Sequence, residues 1–247
     1  MLPVFIAPEL PDAEGSLVTL SGAEAKHISV RRFGVGDVIE LTDGAGVRAQ
    51  AEIVAVGVEV QCRITGAVLE AAPIPAVTVV QAIPKSDRAD LTIDQLVETG
   101  ADRIIPWAAQ HCVAKWEGKK AGKAVEKWRV RSREAAKQAR RSFIPPVEEQ
   151  FSTAQVVELV QEVTERGGAV AVLHEVGSQP FRQFAASAGS VQEVVFIIGP
   201  EGGVSENEVA AFGSAGATVV KLGREVLRTA LAGAAGLSAL GVMTQRW

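Results

Sequence analysis

Near residue 72 the chain changes rhythm, and that change decides which architectures remain open to it. Before it, short β-branched segments succeed one another between turn residues: Leu2–Ile6, Ser16–Leu20, Asp37–Thr42, Val47–Val56 and Val58–Val68. Such runs predict strands, and Asp43-Gly44 supplies a hairpin turn between two of them. One helix interrupts the series. Ser21 followed three residues on by Glu24 is a capping-box pattern, and the stretch through Arg32 can then be helical. Ala71-Ala72-Pro73-Ile74-Pro75 reads as an extended linker, because two prolines at alternate positions fix φ and remove donors. After Ala76 strands alternate with helices. The expected strands are Val77–Ile83, Arg103–Ala108, Ala169–Leu173, Val194–Ile198 and Thr218–Leu222; the expected helices are Ser86–Thr99, a long basic one, Thr153–Arg166, Glu206–Ser214 and Thr229–Met243. Continuously apolar strands between helices imply a parallel sheet covered on both faces. The expected chain is a small β-barrel or sandwich over residues 1–72, then an α/β domain over residues 76–247.

Composition sharpens this picture in one place. A hydrophobic content of 47% excludes wholesale disorder, and a net charge of −4 argues, taken alone, against a nucleic-acid binder. The average hides a split. Between Lys115 and Arg141 there are 11 basic residues and three acidic ones, a balance of +8, which leaves −12 for the rest of the chain. Trp116 and Trp128 lie inside this block, and phosphate neutralisation with aromatic stacking is how RNA is commonly held. Two cysteines, Cys62 and Cys112, make no disulfide framework, and Met1 to Glu14 has neither the basic nor the apolar region of a signal peptide. The apolar stretch Thr229 to Met243 falls short of the roughly 20 residues a membrane span needs. A soluble cytoplasmic protein without a membrane segment is expected.

Several familiar signatures fail on context. Gly44-x-Gly46-x-x-Ala49 sits between two strands and opens no helix, so it cannot place a pyrophosphate on a helix N-terminus. The run Gly118 to Lys123 is one residue too short for a phosphate loop. His27, His111 and His174 have no metal-ligand spacing with either cysteine, so no metal is expected. The informative element is Gly199-Pro200-Glu201-Gly202-Gly203, which follows an apolar strand and precedes Ser205-x-x-Glu208, a second capping box. It is therefore a loop at the carboxyl end of a parallel strand, where open α/β sheets place ligands. Two further strands end alike, in His174-Glu175 and in Gly223-Arg224-Glu225, and three such loops can form one pocket. The small residues of Thr229–Met243 fit close packing in a core, at a subunit interface or in a knot.

These residues also resemble a known family. Phe196 to Gly203, with Lys221-Leu222-Gly223 and Val226-Leu227-Arg228-Thr229, resembles the RsmE family of SPOUT-class methyltransferases. Gln81-Ala82-Ile83-Pro84-Lys85, Glu98-x-Gly100, Arg103-Ile104-x-Pro106, Ala135-Ala136-x-Gln138, Ala25-Lys26-His27-Ile28 through Arg31, and Asp43-Gly44 support the likeness, which runs along essentially the whole chain. The resemblance implies a PUA-like β-barrel followed by a SPOUT α/β domain with a C-terminal trefoil knot, acting as a homodimer. It implies methylation of uridine N3 in the 16S rRNA of the small ribosomal subunit, with S-adenosylmethionine as donor. The cofactor positions carried over are Leu173, His174, Gly199, Pro200, Glu201, Gly202, Leu222, Gly223, Leu227, Arg228 and Thr229, with Arg228 and Glu201 as catalytic residues. The RNA-binding positions are Lys26, His27, Arg31, Arg32, Lys85, Arg133, Lys137, Arg140 and Arg141. Three places depart from the family pattern: Ala230-Leu231 after Thr229, Gln95-Leu96 before the Glu-x-Gly element, and His111 before Cys112. Two alternatives stay open, a SPOUT methyltransferase acting on tRNA or a ribose 2′-hydroxyl, and a non-catalytic RNA-binding assembly factor.

Overall fold

Alternation of buried and exposed side chains along residues 17–20 and over much of 47–56 and 60–69 builds the N-terminal sheet, as one wet face requires. A computed structural model of the chain describes residues 2–11 and 13–247. Met1 and Asp12, both in the segment weighed above for a signal peptide, lie outside the described residues, as do the side chains of Ser86 and Lys119. Strands β1 (Val4–Ile6), β2 (Leu17–Leu20), β3 (Val38–Thr42), β4 (Val47–Val56) and β5 (Val60–Leu69) form one sheet of order β1-β3-β4-β5-β2, antiparallel except between β1 and β3. Register shifts at Gln50/Ala51 and Ile53/Ala55 bend β4, and the sheet curls over Phe5, Ile28, Ile39, Leu41 and Ile53. The expected β-barrel is thus a curled half-barrel whose edges are β1 and β2.

Helix α1 (Gly22–Val30) corrects one detail. Ser21 is its N-cap, yet no side-chain capping bond forms. Glu24 is used otherwise: both of its oxygens accept from Lys137 Nζ at 3.0 Å, and both side chains are about nine-tenths buried. Lys137 belongs to this unit because Ala136–Ile144 packs with Met1–Ala72. Thr42 Oγ1 donates to Ser142 O, and Ile144 and Phe143 lie against Gly44 and Gly46, where side chains would collide. Both glycines have positive φ, so the β3–β4 turn needs them twice over.

The second unit, Pro73–Ala135 with Pro145–Trp247, holds a six-stranded sheet. Its strands are β6 (Ala76–Ala82), β7 (Arg103–Trp107), β8 (Ala169–Leu173), β9 (Gln179–Pro180), β10 (Glu193–Ile198) and β11 (Thr218–Lys221), all parallel in the order β7-β6-β10-β8-β11-β9. The helices are α2 (Ala89–Glu98), α3 (Lys119–Gln138), α4 (Thr153–Glu165), α5 (Phe181–Ala188), α6 (Glu206–Ser214) and α7 (Thr229–Met243). Val156, Leu159, Val160 and Val163 of α4 and Phe212 of α6 cover one face, packed on Val172, Val195, Ile197 and Trp107. On the other face α5 places Phe181 and Phe184 on Phe196, beside α7. A Cβ at Gly233 would stand 2.5 Å from Leu96 of α2, and one at Gly236 would stand 3.0 Å from Leu173. The small residues of α7 therefore serve close approach to α2 and to the sheet. Sequence periodicity missed β9 and α5 and started the basic helix four residues early. No helix of the described residues is long and apolar enough to cross a membrane.

Candidate functional site

The carboxyl ends of β8, β10 and β11 sit side by side in the sheet, so the loops that follow them must share one edge. Between those loops lies a cavity of ≈ 450 Å³, a size suited to a small organic ligand. Leu173 and His174 reach it from β8, Gly199, Pro200, Glu201 and Gly202 from β10, and Leu222, Gly223, Leu227, Arg228 and Thr229 from β11 and the start of α7. All the cofactor positions named from the resemblance thus line one space. So do Glu175, Lys221, Glu225 and Val226, which belong to the same loops and motifs without being cofactor positions, and Ala232.

Local chemistry fixes the walls. Ser205 caps α6 through a full capping box with Glu208, so the glycine loop ends at a defined point. Gly203 has φ +78°, the left-handed turn that completes the loop. A Cβ at Gly202 would stand 2.9 Å from His111 Cβ and 3.0 Å from His111 O, so only glycine lets the β7–α3 loop press on this strand end. His174 is tied by its backbone N–H to Val220 O, and its Nδ1 accepts from Val176 N–H at 3.3 Å. An imidazole that accepts at Nδ1 carries its proton on Nε2. Glu201 is held at one oxygen only: Oε1 accepts from Lys85 N–H at 3.2 Å, while Oε2 is buried without a hydrogen-bond partner. Burial pushes the Cys112 thiol up, and it stays an unreactive neighbour below this edge.

The basic block reads differently in three dimensions. Trp128 of α3 is buried and Trp116, half-buried, packs on it edge-on at 4.9 Å, so Trp128 offers no face for stacking RNA bases. The block's charge is also met from elsewhere in the chain. Lys127 pairs with Asp90 at 2.8 Å, Arg131 with Asp94, Arg129 with Glu149 at 2.8 Å, and Lys137 with Glu24. The expectation of an unneutralised +8 block is thus corrected for half of its charge, by four acids that are distant in sequence. Lys137, buried in its ion pair, is unavailable to phosphates. Among the other expected RNA contacts, Lys26, Arg31, Arg32 and Lys85 are exposed, Arg133, Arg140 and Arg141 are half-buried, and the His27 ring lies edge-on to Phe5 at 5.4 Å.

Comparison with known proteins places these features. The model of an RNA methyltransferase domain matches residues 70–241, and that of an RNA methyltransferase PUA domain matches residues 20–61. The Ribosomal RNA small subunit methyltransferase E of Mycobacterium bovis is 40% identical over 99% of this chain and 93% of its own length. The protein of that name from Bacillus subtilis is 29% identical over 94% of this chain and 92% of its own length. Among solved structures, the small-subunit methyltransferase E of Neisseria gonorrhoeae bound to S-adenosyl methionine superposes with a TM-score of 0.83 at 25% identity, covering 99% of this chain and 98% of that one. A methyltransferase from Legionella pneumophila in complex with the same cofactor gives a TM-score of 0.85 at 26% identity over 99% and 98%.

Proposed function

The chain belongs to the family of ribosomal RNA small subunit methyltransferases E, and on that premise we propose that it methylates N3 of a uridine in 16S rRNA. S-adenosylmethionine is the donor. The observation that carries the reading is the convergence of the three strand-end loops on a single cavity. Two features of that cavity fit the cofactor: a wall of Gly199, Gly202 and Gly203 that leaves backbone open to a ligand, and a carboxylate oxygen of Glu201 left without a donor. When bound, the cofactor supplies a sulfonium-activated methyl group.

The chain's own residues then have three tasks. His174, with its proton on Nε2, and the backbone of Gly199–Gly202 hold and orient the donor in the cavity, since positioning supplies much of the barrier reduction in a two-reactant step. Glu201, kept in place by the bond that its Oε1 accepts from Lys85 N–H, takes the proton from uracil N3. Arg228, always protonated, stabilises the negative charge that develops on the uracil oxygens. With the donor bound, the methyl group would pass to N3 and the proton that N3 gives up would rest on Glu201.

RNA is held by phosphate contacts from Lys26, Arg31 and Arg32 of the N-terminal unit, with Lys85, Arg133, Arg140 and Arg141. A homodimer with a threaded C-terminal end, working in the cytoplasm, completes the proposal. Calorimetry tests it. Wild-type protein should bind S-adenosylmethionine once per chain, and folded Gly202→Val should lose that binding while keeping affinity for small-subunit RNA. A wild-type chain that binds RNA and no cofactor would be an assembly factor instead.

A further inference from the structure

We infer that Glu208 is a positioning residue that sets the glycine loop for cofactor binding, by stapling the β7–α3 loop against it. The inference rests on the cofactor reading of the cavity given above. Among the described residues, α4 and α6 each begin with a reciprocal capping box, and they differ in what Glu208 adds. At α4, Gln155 Oε1 accepts from Ser152 N–H at 2.9 Å and from Ser152 Oγ at 3.0 Å. One amide oxygen thus suffices to close a box. At α6, Glu208 Oε2 does the same for Ser205, with distances of 3.0 and 2.9 Å. Its second oxygen is committed outside the helix: Oε1 accepts from Gln110 N–H at 2.9 Å and from Thr153 Oγ1 at 3.0 Å. Thr153 Oγ1 in turn accepts from Trp107 Nε1 at 3.2 Å. Glu208 is 5% exposed, so these four donors are what keeps its charge buried.

The consequence falls on the residue beside Gln110. His111 presses its Cβ and carbonyl on Gly202, and its Nδ1 lies 3.2 Å from Gly203 O. A carbonyl only accepts, so Nδ1 carries the proton there. Fixing Gln110 fixes His111, and His111 fixes the two glycines that wall the cavity. A glutamine at 208 would preserve the capping box, as Gln155 does at α4, and would turn an NH₂ group on two donors. The capping role and the stapling role therefore separate in a single substitution.

The experiment measures S-adenosylmethionine binding by calorimetry, kcat at saturating cofactor, and affinity for small-subunit RNA in wild type, Glu208→Gln, His111→Ala and the double variant. Folding is checked by thermal melting. Glu208→Gln should raise the cofactor dissociation constant about tenfold, the worth of one or two buried hydrogen bonds. Its kcat at saturation and its RNA affinity should stay within twofold. His111→Ala should give a smaller loss of the same kind, and the double variant should fall short of the product of the two, because both act through one strut. Cofactor affinity within twofold of wild type in a folded Glu208→Gln overturns the inference, as does an equal loss of cofactor and RNA affinity. If Glu208→Gln does not fold, an unchanged cofactor affinity in His111→Ala overturns it. Absence of cofactor binding by the wild type would instead remove the reading on which it rests.

Discussion

Replacing Arg246 by methionine should unfasten the C-terminal end of the α/β unit. The Arg246 guanidinium is 6% exposed and donates to Asp102 Oδ2 at 2.8 Å, to Pro75 O at 2.5 Å and to Gly100 O at 2.5 Å. One side chain near the chain's end thereby joins the start of β6, the end of α2 and the entry to β7, while Trp247 packs on Gly241 of α7. Methionine keeps the apolar stem and removes the charge. Breaking a buried pair by removing one partner costs about 3–5 kcal/mol, because the other charge stays buried. Asp102 retains the Val77 N–H bond at 2.8 Å, which places the cost near the lower end, about 3 kcal/mol. For a chain of this size that is a fall of about 6–12 °C in melting temperature. Differential scanning calorimetry of Arg246→Met reads it directly, with Arg166→Met as the comparison. Arg166 is 60% exposed beside Glu193, so its loss should cost no more than about 1 kcal/mol. Adding Asp102→Asn to Arg246→Met should recover part of the loss, since a buried carboxylate that no longer has the Arg246 charge beside it is removed. Equal, small effects for Arg246 and Arg166 would refute the reasoning, as would a double variant worse than Arg246→Met.

Three further outcomes follow from other parts of the molecule. Lys137→Met should destabilise the N-terminal unit by about 3–5 kcal/mol in urea unfolding, whereas Arg131→Gln, on a half-exposed pair, should cost no more than about 1 kcal/mol and leave RNA affinity unchanged. Lys26→Gln and Arg32→Gln should each lower the slope of log affinity against log salt by about 0.7–0.9, as removal of one phosphate contact requires. Burial pushes the Cys62 thiol up to about 11 from the ordinary 9.0, so the folded chain keeps a proton that the unfolded chain loses. Stability should therefore fall as pH rises through that window, Cys62→Ala should flatten the fall, and native protein at pH 8 should resist thiol reagents that react at once in urea.

What the sequence reveals depends on how local the governing physics is. Gly199–Gly203 could be placed because an apolar strand, a glycine run and Ser205-x-x-Glu208 lie within sixteen residues and each constrains the next. The alternation in β4 and β5 was legible for the same reason. Lys137 and Glu24 are 113 residues apart, and no periodicity announces that a basic helix will find its acids on α2, on residue 149 and on α1. The +8 of the block is real in sequence and half answered in space, by four acids outside it. Ser21-x-x-Glu24 carries the capping signature yet makes no side-chain cap, its carboxylate being paired with Lys137, while Ser152-x-x-Gln155 caps fully. Helix α5 was missed because eight residues give too little periodicity, and the two-residue β9 before it gives less. Glu208 showed its capping role in the pattern; its grip on residues 110 and 153 depends on tertiary proximity alone.

The identity of the methylated nucleoside tests the proposed chemistry most directly. Small subunits from cells lacking the modification, incubated with this protein and methyl-labelled S-adenosylmethionine, should carry label in 16S rRNA. Digestion to nucleosides and mass spectrometry should then find it in 3-methyluridine, with the transfer abolished in Gly202→Val. Label on a ribose hydroxyl, on another base or in tRNA would contradict the proposed chemistry. So would unlabelled RNA in the presence of demonstrated cofactor binding.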